Sequence, residues 1–436
     1  MIALSLDEVE ALAPGRLERA PGADEATGVT IDSRRVEPGD LFVAVGRGAE
    51  FAEDALGNGA AATLLPEDAF GALASLGHAV RERSSARIVA VTGSTAKTST
   101  KDILGALCAP HASTVVAEGS QNNEIGLPLT LCRLEPETEI AILEMGMRGL
   151  GQIAELCEVA RPDVGVITSV GPVHLELLGT VERVAQAKAE VVESLPPGGT
   201  AVVPAGEHSL DPYLTREDIS VFRFGEGGDV RLSYFTARDG RSRLKVEAFG
   251  RPLTLEFSFG GRHNATNALA ALAAFHALGL PLGKAQRGAR QVRLSRWRGE
   301  EVPLPGGGTL INDCYNANPL SMTAALEHLR ERAGGRRKVA VLGDMAELGP
   351  GASSYHRDVG GAAARAGVEV LVAVGPLARG YVEGARGVPL TRWAPTVEAG
   401  LVALRQVLRQ GDCVLVKGSR AMGLEAIADA VAVVPA

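Results

Sequence analysis

Ile88-Val89-Ala90-Val91-Thr92-Gly93-Ser94-Thr95-Ala96-Lys97-Thr98-Ser99 is the stretch on which the reading of this chain turns. Its first four residues form an apolar run, which predicts a buried strand. The segment 101–108 that follows reads as a helix. Small residues between a strand and a helix leave backbone N–H groups free to face an anion, and the helix N-terminus adds its dipole. A lysine at that point neutralises terminal phosphates, and a threonine hydroxyl reaches Mg²⁺. Gly93, Ser94, Thr95, Ala96, Lys97, Thr98 and Ser99 are therefore expected to cradle a nucleoside triphosphate. One position departs from the usual pattern: the residue before the lysine, ordinarily glycine, is Ala96. Alanine costs about 1 kcal/mol or more where that residue needs positive φ, and adds only a methyl group if the conformation is right-handed. The expectation is that the loop accommodates the methyl and that Ala96→Gly leaves the Michaelis constant for ATP unchanged.

The 436 residues exceed one ordinary core and suggest two to four domains. With 46% hydrophobic and 22% charged residues the composition is that of a soluble globular protein. A net charge of −8 argues against a nucleic-acid partner, which would require a basic face. Cys108, Cys132, Cys157, Cys314 and Cys413 are scattered, with no CxxC pair, so buried reduced thiols are expected rather than disulfides or a zinc site. The first residues lack the cationic start and apolar core of a secretory signal, and the longest uncharged stretch, 264–283, reads as a buried helix. No membrane insertion and a cytoplasmic location are expected. Only seven of the 44 cationic side chains are lysine, so each lysine is worth asking about for its ammonium chemistry.

Three segments follow one another. The first, to about residue 85, has strand candidates at 29–31, 41–45 and 62–65. The middle alternates strands (88–91, 140–143, 164–167, 201–203) with helices, the mark of a mostly parallel sheet in an α/β fold. A β-rich stretch at 221–259 and a long Ala/Leu helix after Asn264 complete it. The third begins near Arg298 and repeats the alternation, with strands at 310–311, 339–342, 368–374 and 414–416.

Ligands of an open parallel sheet bind beyond the carboxyl ends of its strands. Lys97 and Thr98 follow the first middle strand, Glu144 ends the second, and the third leads through Thr168 and Ser169 to His174. A hydroxyl, a carboxylate and an imidazole beside a phosphate loop suit Mg²⁺ and a triphosphate. Lys188 stands within the apolar stripe Val181, Val184, Val191, Leu195, at spacings of three and four. Either its ammonium snorkels to solvent, or it is desolvated with a lowered pKa; a neutral amine can then take up CO₂ as a carbamate. His263, Asn264 and Asn267 cluster at a helix start, where Asn264 could cap the helix and a base-recognition edge is the alternative. Polar clusters at 312–319, 343–349 and 417–420 follow strands of the third segment, and none contains the GxGxxG of a nicotinamide site.

In order along the chain stand Asp32-Ser33-Arg34, the phosphate loop, Gln121-Asn122-Asn123-Glu124-Ile125-Gly126-Leu127-Pro128, Glu144-Met145-Gly146-Met147-Arg148 and Gly171-Pro172-Val173-His174. The Gly261 to Asn267 stretch, Asp313 to Pro319, Gly343 to Gly349 and Lys417 to Arg420 follow. With these motifs the chain resembles the Mur ligase family over nearly its whole length. The resemblance implies three domains: 1–85 binding a UDP-linked substrate, 86–297 a central P-loop ATPase, and 298–436 a Rossmann-like ligase domain. It implies that ATP phosphorylates a carboxylate and that an amine displaces phosphate from the acyl phosphate. The EMGMR, YNANP and GDMAELG strings point to UDP-N-acetylmuramoyl-tripeptide and D-alanyl-D-alanine as the two partners, acted on by a monomer. The implied catalytic residues are Lys97, Glu144, His174 and Lys188. Thr98, Glu144, His174 and a carbamoylated Lys188 would hold two Mg²⁺ ions. His263, Asn264, Asn267, Arg298 and Asp313 would join the loop in binding ATP. Ser33, Arg34, Asn123, Arg148, Asn316, Asn318 and Lys417 would contact substrate. Residues 46–51 lack the family's Asp-Gly-His, and the usual Gly-Arg near the third domain is Ser295-Arg296-Trp297-Arg298, of which Arg298 is favoured by its spacing to Asp313. The alternatives are another Mur-type ligase, a P-loop kinase or NTPase without an amine acceptor, or a weakened scaffold.

Overall fold

Alternation of side chains along the strand Arg87–Thr92 organises the centre of the molecule. Ile88 and Ala90 point to one face and Val89 and Val91 to the other, and all four are fully buried. The first pair packs in a core shared with the helices Ala69–Arg83 and Val181–Glu193; the second packs against Lys97–Cys108 and Arg262–Ala277. A strand covered on both faces reads as a continuous apolar run because neither face can be polar. The computed structural model describes residues 1–238 and 240–432. Asp239, in the expected β-rich stretch, and 433–436, at the end of the expected third domain, lie outside the described residues.

This strand sits inside a nine-stranded sheet. Its order is Arg251–Phe257, Arg241–Ala248, Val230–Arg238, Ser220–Phe224, Thr200–Pro204, Val164–Ile167, Arg87–Thr92, Ile140–Glu144, Thr114–Val116. Pairing is parallel from Thr114–Val116 through Val230–Arg238, and antiparallel for the last three strands. The mostly parallel α/β class expected of the middle segment is what the chain forms. Register sets the site: Val91 lies opposite Glu144, and Thr92 opposite Ile167, so three strand ends finish level.

Among the described residues three smaller sheets accompany it, one of them only the antiparallel pair Leu4–Ser5 and Glu25–Ala26. Residues before 67 form a four-stranded sheet, ordered Gly15–Arg19, Ala62–Pro66, Asp40–Val43, Gly28–Thr30. Beyond residue 299 a six-stranded sheet runs Glu300–Pro303, Thr309–Asn312, Cys413–Lys417, Lys338–Gly343, Val370–Val374, Leu390–Ala394. Gly15–Arg19, Thr114–Val116, Glu300–Pro303 and Leu390–Ala394 were not among the predicted strands. Gly15–Arg19 and Glu300–Pro303 hold exposed or half-exposed charged residues, and Leu390–Ala394 breaks its apolar residues with Thr391 and Arg392, so all three lack the apolar run of a central strand. All five cysteines are buried and unpaired. Among the described residues no helix is long and apolar enough to cross a membrane.

The phosphate-loop helix Lys97–Cys108 is pressed from behind by the short helix Gln286–Ala289. A Cβ on Gly288 would lie 2.0 Å from the Ala106 carbonyl oxygen, so one helix must shift to admit it. Gly288→Ala is expected to lower the thermal unfolding midpoint through a destabilisation of about 1–3 kcal/mol. The neighbouring Gly283→Ala, whose methyl would meet nothing within 4 Å, is expected to stay within about 0.5 kcal/mol of wild type.

Candidate active site

The phosphate loop leaves the sheet at Gly93, where a side chain is excluded: a Cβ there would sit 1.9 Å from Thr168 Oγ1. That closeness lets Thr168 tie the loop at two points, donating to Thr92 O (3.1 Å) or Thr95 O (2.5 Å). Thr95 N donates to Ser169 Oγ (2.9 Å), and Ser94 Oγ bridges to the backbone of Gly171 (3.0 and 3.1 Å). The Lys97 ammonium folds back over the loop to Gly93 O (2.9 Å). Ala96 caps the helix in the left-handed region, φ 66°, ψ 1°. The right-handed alternative raised for this position is therefore wrong, and the alanine is strained. A glycine would adopt that conformation freely; the alanine is held there by the tethers on either side of it.

Opposite the loop, the level strand ends deliver the acid. Thr98 Oγ1 donates to Glu144 Oε2 (2.7 Å) and Asn122 Nδ2 to Glu144 Oε1 (2.8 Å), both oxygens of a carboxylate that is 1% exposed. Lys188 is 3% exposed, so its ammonium does not snorkel to solvent. It lines the same cavity, and no hydrogen-bond or ion-pair partner is found for it among the described residues. Burial, with Lys97 nearby, holds it well below the usual lysine range. Burial likewise lowers Lys97, against the pull of Glu144. His174, at φ 53°, is lowered by burial although Glu347 Oε2 lies 2.5 Å from its Nδ1.

The six-stranded unit supplies the facing wall. Arg298 lies over the Tyr315 ring (3.9 Å to the centroid), its Nε buried without a partner among the described residues, while Tyr315 OH meets Ser120 Oγ of the central unit. Lys417, 2% exposed, bonds Asp313 Oδ2 (2.7 Å) and Asn316 O (2.8 Å). Asn318 caps the helix Pro319–Ala333 and also donates to Ser94 O in the phosphate loop (3.2 Å). The linker is pinned where it leaves the central unit, since Asp102 Oδ2 accepts from both Ser295 N and Ser295 Oγ (2.8 Å each). Trp297 then turns at φ 62° and delivers Arg298 into the cleft.

One cavity of about 990 Å³ gathers most of these groups. Of the residues singled out from sequence, Ser94 through Ser99, Glu144, His174, Lys188, His263, Asn267, Arg298 and Asp313 line it, as do Asn123, Arg148, Asn316, Asn318 and Lys417. Gly93 and Asn264 stand just behind it. Asn264 is not the helix cap: Gly261 is, and Asn264 is buried in the first turn, bonded to Gly260 O (3.0 Å) and accepting from Asn267 (3.1 Å). His263 is pushed down to about 3 by burial, with His328 and Lys417 adding to the effect. Ser33 and Arg34 are absent from the lining; Arg34 instead forks onto Asp32 (2.8 Å twice) and holds that carboxyl down to about 2. Sequence reading missed the roles of Asn122, Tyr315 and Glu347, although each sits inside a quoted motif. Among the described residues no three His, Cys, Asp or Glu side chains form a metal cage. Thr98 and Glu144 suit an ion that takes its remaining oxygens from phosphate and water, as Mg²⁺ does.

Residues 91–275 match the Mur ligase middle domain and residues 297–420 the Mur ligase, glutamate ligase domain. The UDP-N-acetylmuramoyl-tripeptide--D-alanyl-D-alanine ligase of Escherichia coli is 34% identical, over 98% of both chains. The enzyme of the same name from Bacillus subtilis is 32% identical over 92% of both. The crystal structure of MurF from Acinetobacter baumannii superposes with a TM-score of 0.87 at 28% identity, over 98% of each chain. That of the Thermotoga maritima MurF ligase in complex with ADP gives 0.80 at 29%, over 92% of this chain and 96% of that one.

The left-handed alanine gives a direct test. Its conformation costs roughly 1–2 kcal/mol, and glycine returns about 0.4–1 kcal/mol of that through its freer unfolded state. Ala96→Gly is therefore expected to stabilise the folded protein by about 0.5–1 kcal/mol in denaturant titration, with the Michaelis constant for ATP changed less than about twofold, because the strain belongs to the fold.

Proposed function

The chain belongs to the Mur ligase family, and we propose that it is the ATP-dependent ligase joining D-alanyl-D-alanine to UDP-N-acetylmuramoyl-tripeptide in peptidoglycan precursor synthesis. The observation that carries this reading is the convergence, on one cavity, of a phosphate loop with its acid, of Asp313 and Lys417 from the ends of strands in a separate sheet, and of Arg298 from the linker leading to it. A P-loop hydrolase or kinase has no use for that second wall; a ligase that must hold a nucleotide, an acyl phosphate and an amine does. The division of labour we propose is 1–85 for the UDP-linked substrate, 86–297 for ATP and 298–436 for closing on both. One chain supplies every named group, so a monomer suffices, and substrates of this kind place it in the cytoplasm.

The γ-phosphoryl of ATP passes to the terminal carboxylate of the tripeptide, and ADP departs. The dipeptide's amino nitrogen then attacks the carbonyl carbon, its proton is lost, and phosphate leaves the tetrahedral intermediate as the amide forms. Lys97 and Arg298 neutralise charge on the phosphoryl oxygens, the main catalytic work in such a transfer. Thr98 and Glu144 would hold one Mg²⁺, and His174 with Lys188 a second, each supplying Lewis-acid charge to phosphate oxygens when bound. Lys188 fits that second position only after chemistry: an ammonium repels a cation, whereas a neutral amine that attacks CO₂ and loses one proton becomes a carbamate, its single negative charge shared by two oxygens. Its burial and its lack of a partner support this assignment. His263 and Asn267 face the adenine end, and Arg148 and Asn316 the peptide ends. The active arrangement needs the third unit closed on the second.

Incubation with Mg-ATP, UDP-muramoyl-tripeptide and D-alanyl-D-alanine is expected to release one phosphate per nucleotide-sugar that gains the dipeptide's mass. Phosphate release indifferent to both acceptors would overturn the ligase reading. Lys188→Ala is expected to lose about 10²-fold or more in turnover and to recover partly with added short-chain carboxylates; full unsupplemented activity would rule the carbamate out.

A further inference from the structure

The loop after the strand Lys338–Gly343 makes contacts that the phosphate chemistry alone does not explain. Its Glu347, at φ 61°, faces His174, at φ 53°, across the cleft between the six-stranded and nine-stranded units. Glu347 Oε2 lies 2.5 Å from His174 Nδ1, Oε1 lies 3.4 Å from the Arg148 guanidinium, and the Glu347 carbonyl accepts from Glu176 N (3.4 Å). Two residues on, a Cβ at Gly349 would come within 3.3 Å of the Glu176 backbone. The loop is thus seated on the 174–176 segment by side chain and main chain together. Two non-glycine residues in left-handed conformations, one on each side, persist only where surrounding contacts over-determine them, and such pairs gather at switch points.

Carboxylate oxygens accept, so a carboxylate placed on Nδ1 favours the tautomer that carries the ring proton there. The lone pair of the neutral ring is then on Nε2, the nitrogen left to the cavity that His174 lines. We propose that Glu347 is a positioning residue for His174, fixing its ring orientation and tautomer from across the cleft. Nε2 is then correctly presented only when the third unit is closed. Arg148, held by the other oxygen of the same carboxylate, is drawn into the same closed arrangement. Because a carboxylate on the non-coordinating nitrogen raises ligand basicity and fixes the ring, losing it ordinarily costs 10- to 100-fold. The consequence for turnover rests on the ligase reading; the consequence for the histidine does not.

Long-range ¹H–¹⁵N spectra of the eight histidine side chains separate the two. They are recorded on the full chain without nucleotide, with His174 assigned by the signal lost in His174→Gln. Wild type is expected to show His174 protonated at Nδ1. Glu347→Gln, whose amide oxygen still accepts, is expected to keep that form, and Glu347→Ala to shift towards the Nε2-protonated form. In the ligase assay Glu347→Ala is expected to lower kcat about 10- to 100-fold, with the ATP Michaelis constant within about twofold and Glu347→Gln recovering most of the loss. An unchanged His174 tautomer in Glu347→Ala overturns the proposal, and so does a changed tautomer with kcat within twofold of wild type. A chain that shows the tautomer shift but makes no ligated product defeats the ligase reading and supports the contact.

Discussion

The site depends on how close the first loop of the central sheet lies to the next strand's end. Gly93 has no room for a side chain against Thr168, and that intimacy is what lets one hydroxyl reach both Thr92 and Thr95. Once the loop is tied down, the rest is geometry. The helix starts at Lys97, Thr98 occupies its first turn, and parallel register has already brought Glu144 level with the strand beside it. Catalytic preorganisation of this kind is bought by the fold rather than by the ligand, because the donors are aimed before any charge arrives. Asn318, reaching over from the third unit to Ser94 O, extends the same principle across the cleft.

The charges show what the cavity is shaped to receive. Among the described residues Lys97 has only a backbone carbonyl for its ammonium, Lys188 has no partner, and Arg298 buries an unpaired Nε. Unpaired cations in a confined space repel one another, and burial adds to the cost of each charge. Lys188 feels both effects: it is enclosed and close to Lys97, and its pKa is lowered for both reasons. By contrast Lys417, just as buried, is paired with Asp313 at 2.7 Å, so its charge is already balanced within the protein. A polyanion entering this space would supply the missing partners for Lys97 and Arg298, which is the electrostatic case for a triphosphate independent of any sequence likeness.

Much of this was legible in the sequence, and the reasons are physical. Continuous apolar runs such as Ile88 to Val91 arise where both sheet faces are covered, so the central strands and their polar ends could be placed by eye. Lys188 was legible as an anomaly in a 3-4-3-4 stripe, though only the fold could decide between a snorkelling and an enclosed ammonium. What stayed hidden was relational. Glu347 and Asn122 matter because of what they touch, His174 and Glu144, at separations of 173 and 22 residues. No local pattern encodes such a contact. Asn264 misled for the opposite reason: an asparagine at a helix start usually caps it, but here Gly261 begins the helix earlier and leaves the asparagine inside. Ser33 and Arg34 carry a motif yet lie away from the cavity, which is consistent with a substrate long enough to reach beyond it.

The distribution of backbone strain ties these strands together. Among the described residues six non-glycine positions have positive φ, and four of them border the cleft or its linker: Ala96, His174, Trp297 and Glu347. Each costs of order 1–3 kcal/mol where it stands, and each is held by contacts that cross from one element to another. Ala96 lies between Thr95, tied to Thr168 and Ser169, and Thr98, tied to Glu144; His174 and Glu347 hold each other; Trp297 follows the Asp102–Ser295 clamp and packs its ring near Arg420. Three of these four arrangements therefore involve two units at once. Opening the cleft would free His174, Glu347 and the linker to relax, offsetting part of the contact energy lost. A closed state held by strong contacts but partly strained is one that can release its product, which a very stable closed state could not do at a useful rate. On this argument the strained residues are neither accidents of the loop sequences nor mere catalytic ornaments: they set how firmly the ligase closes.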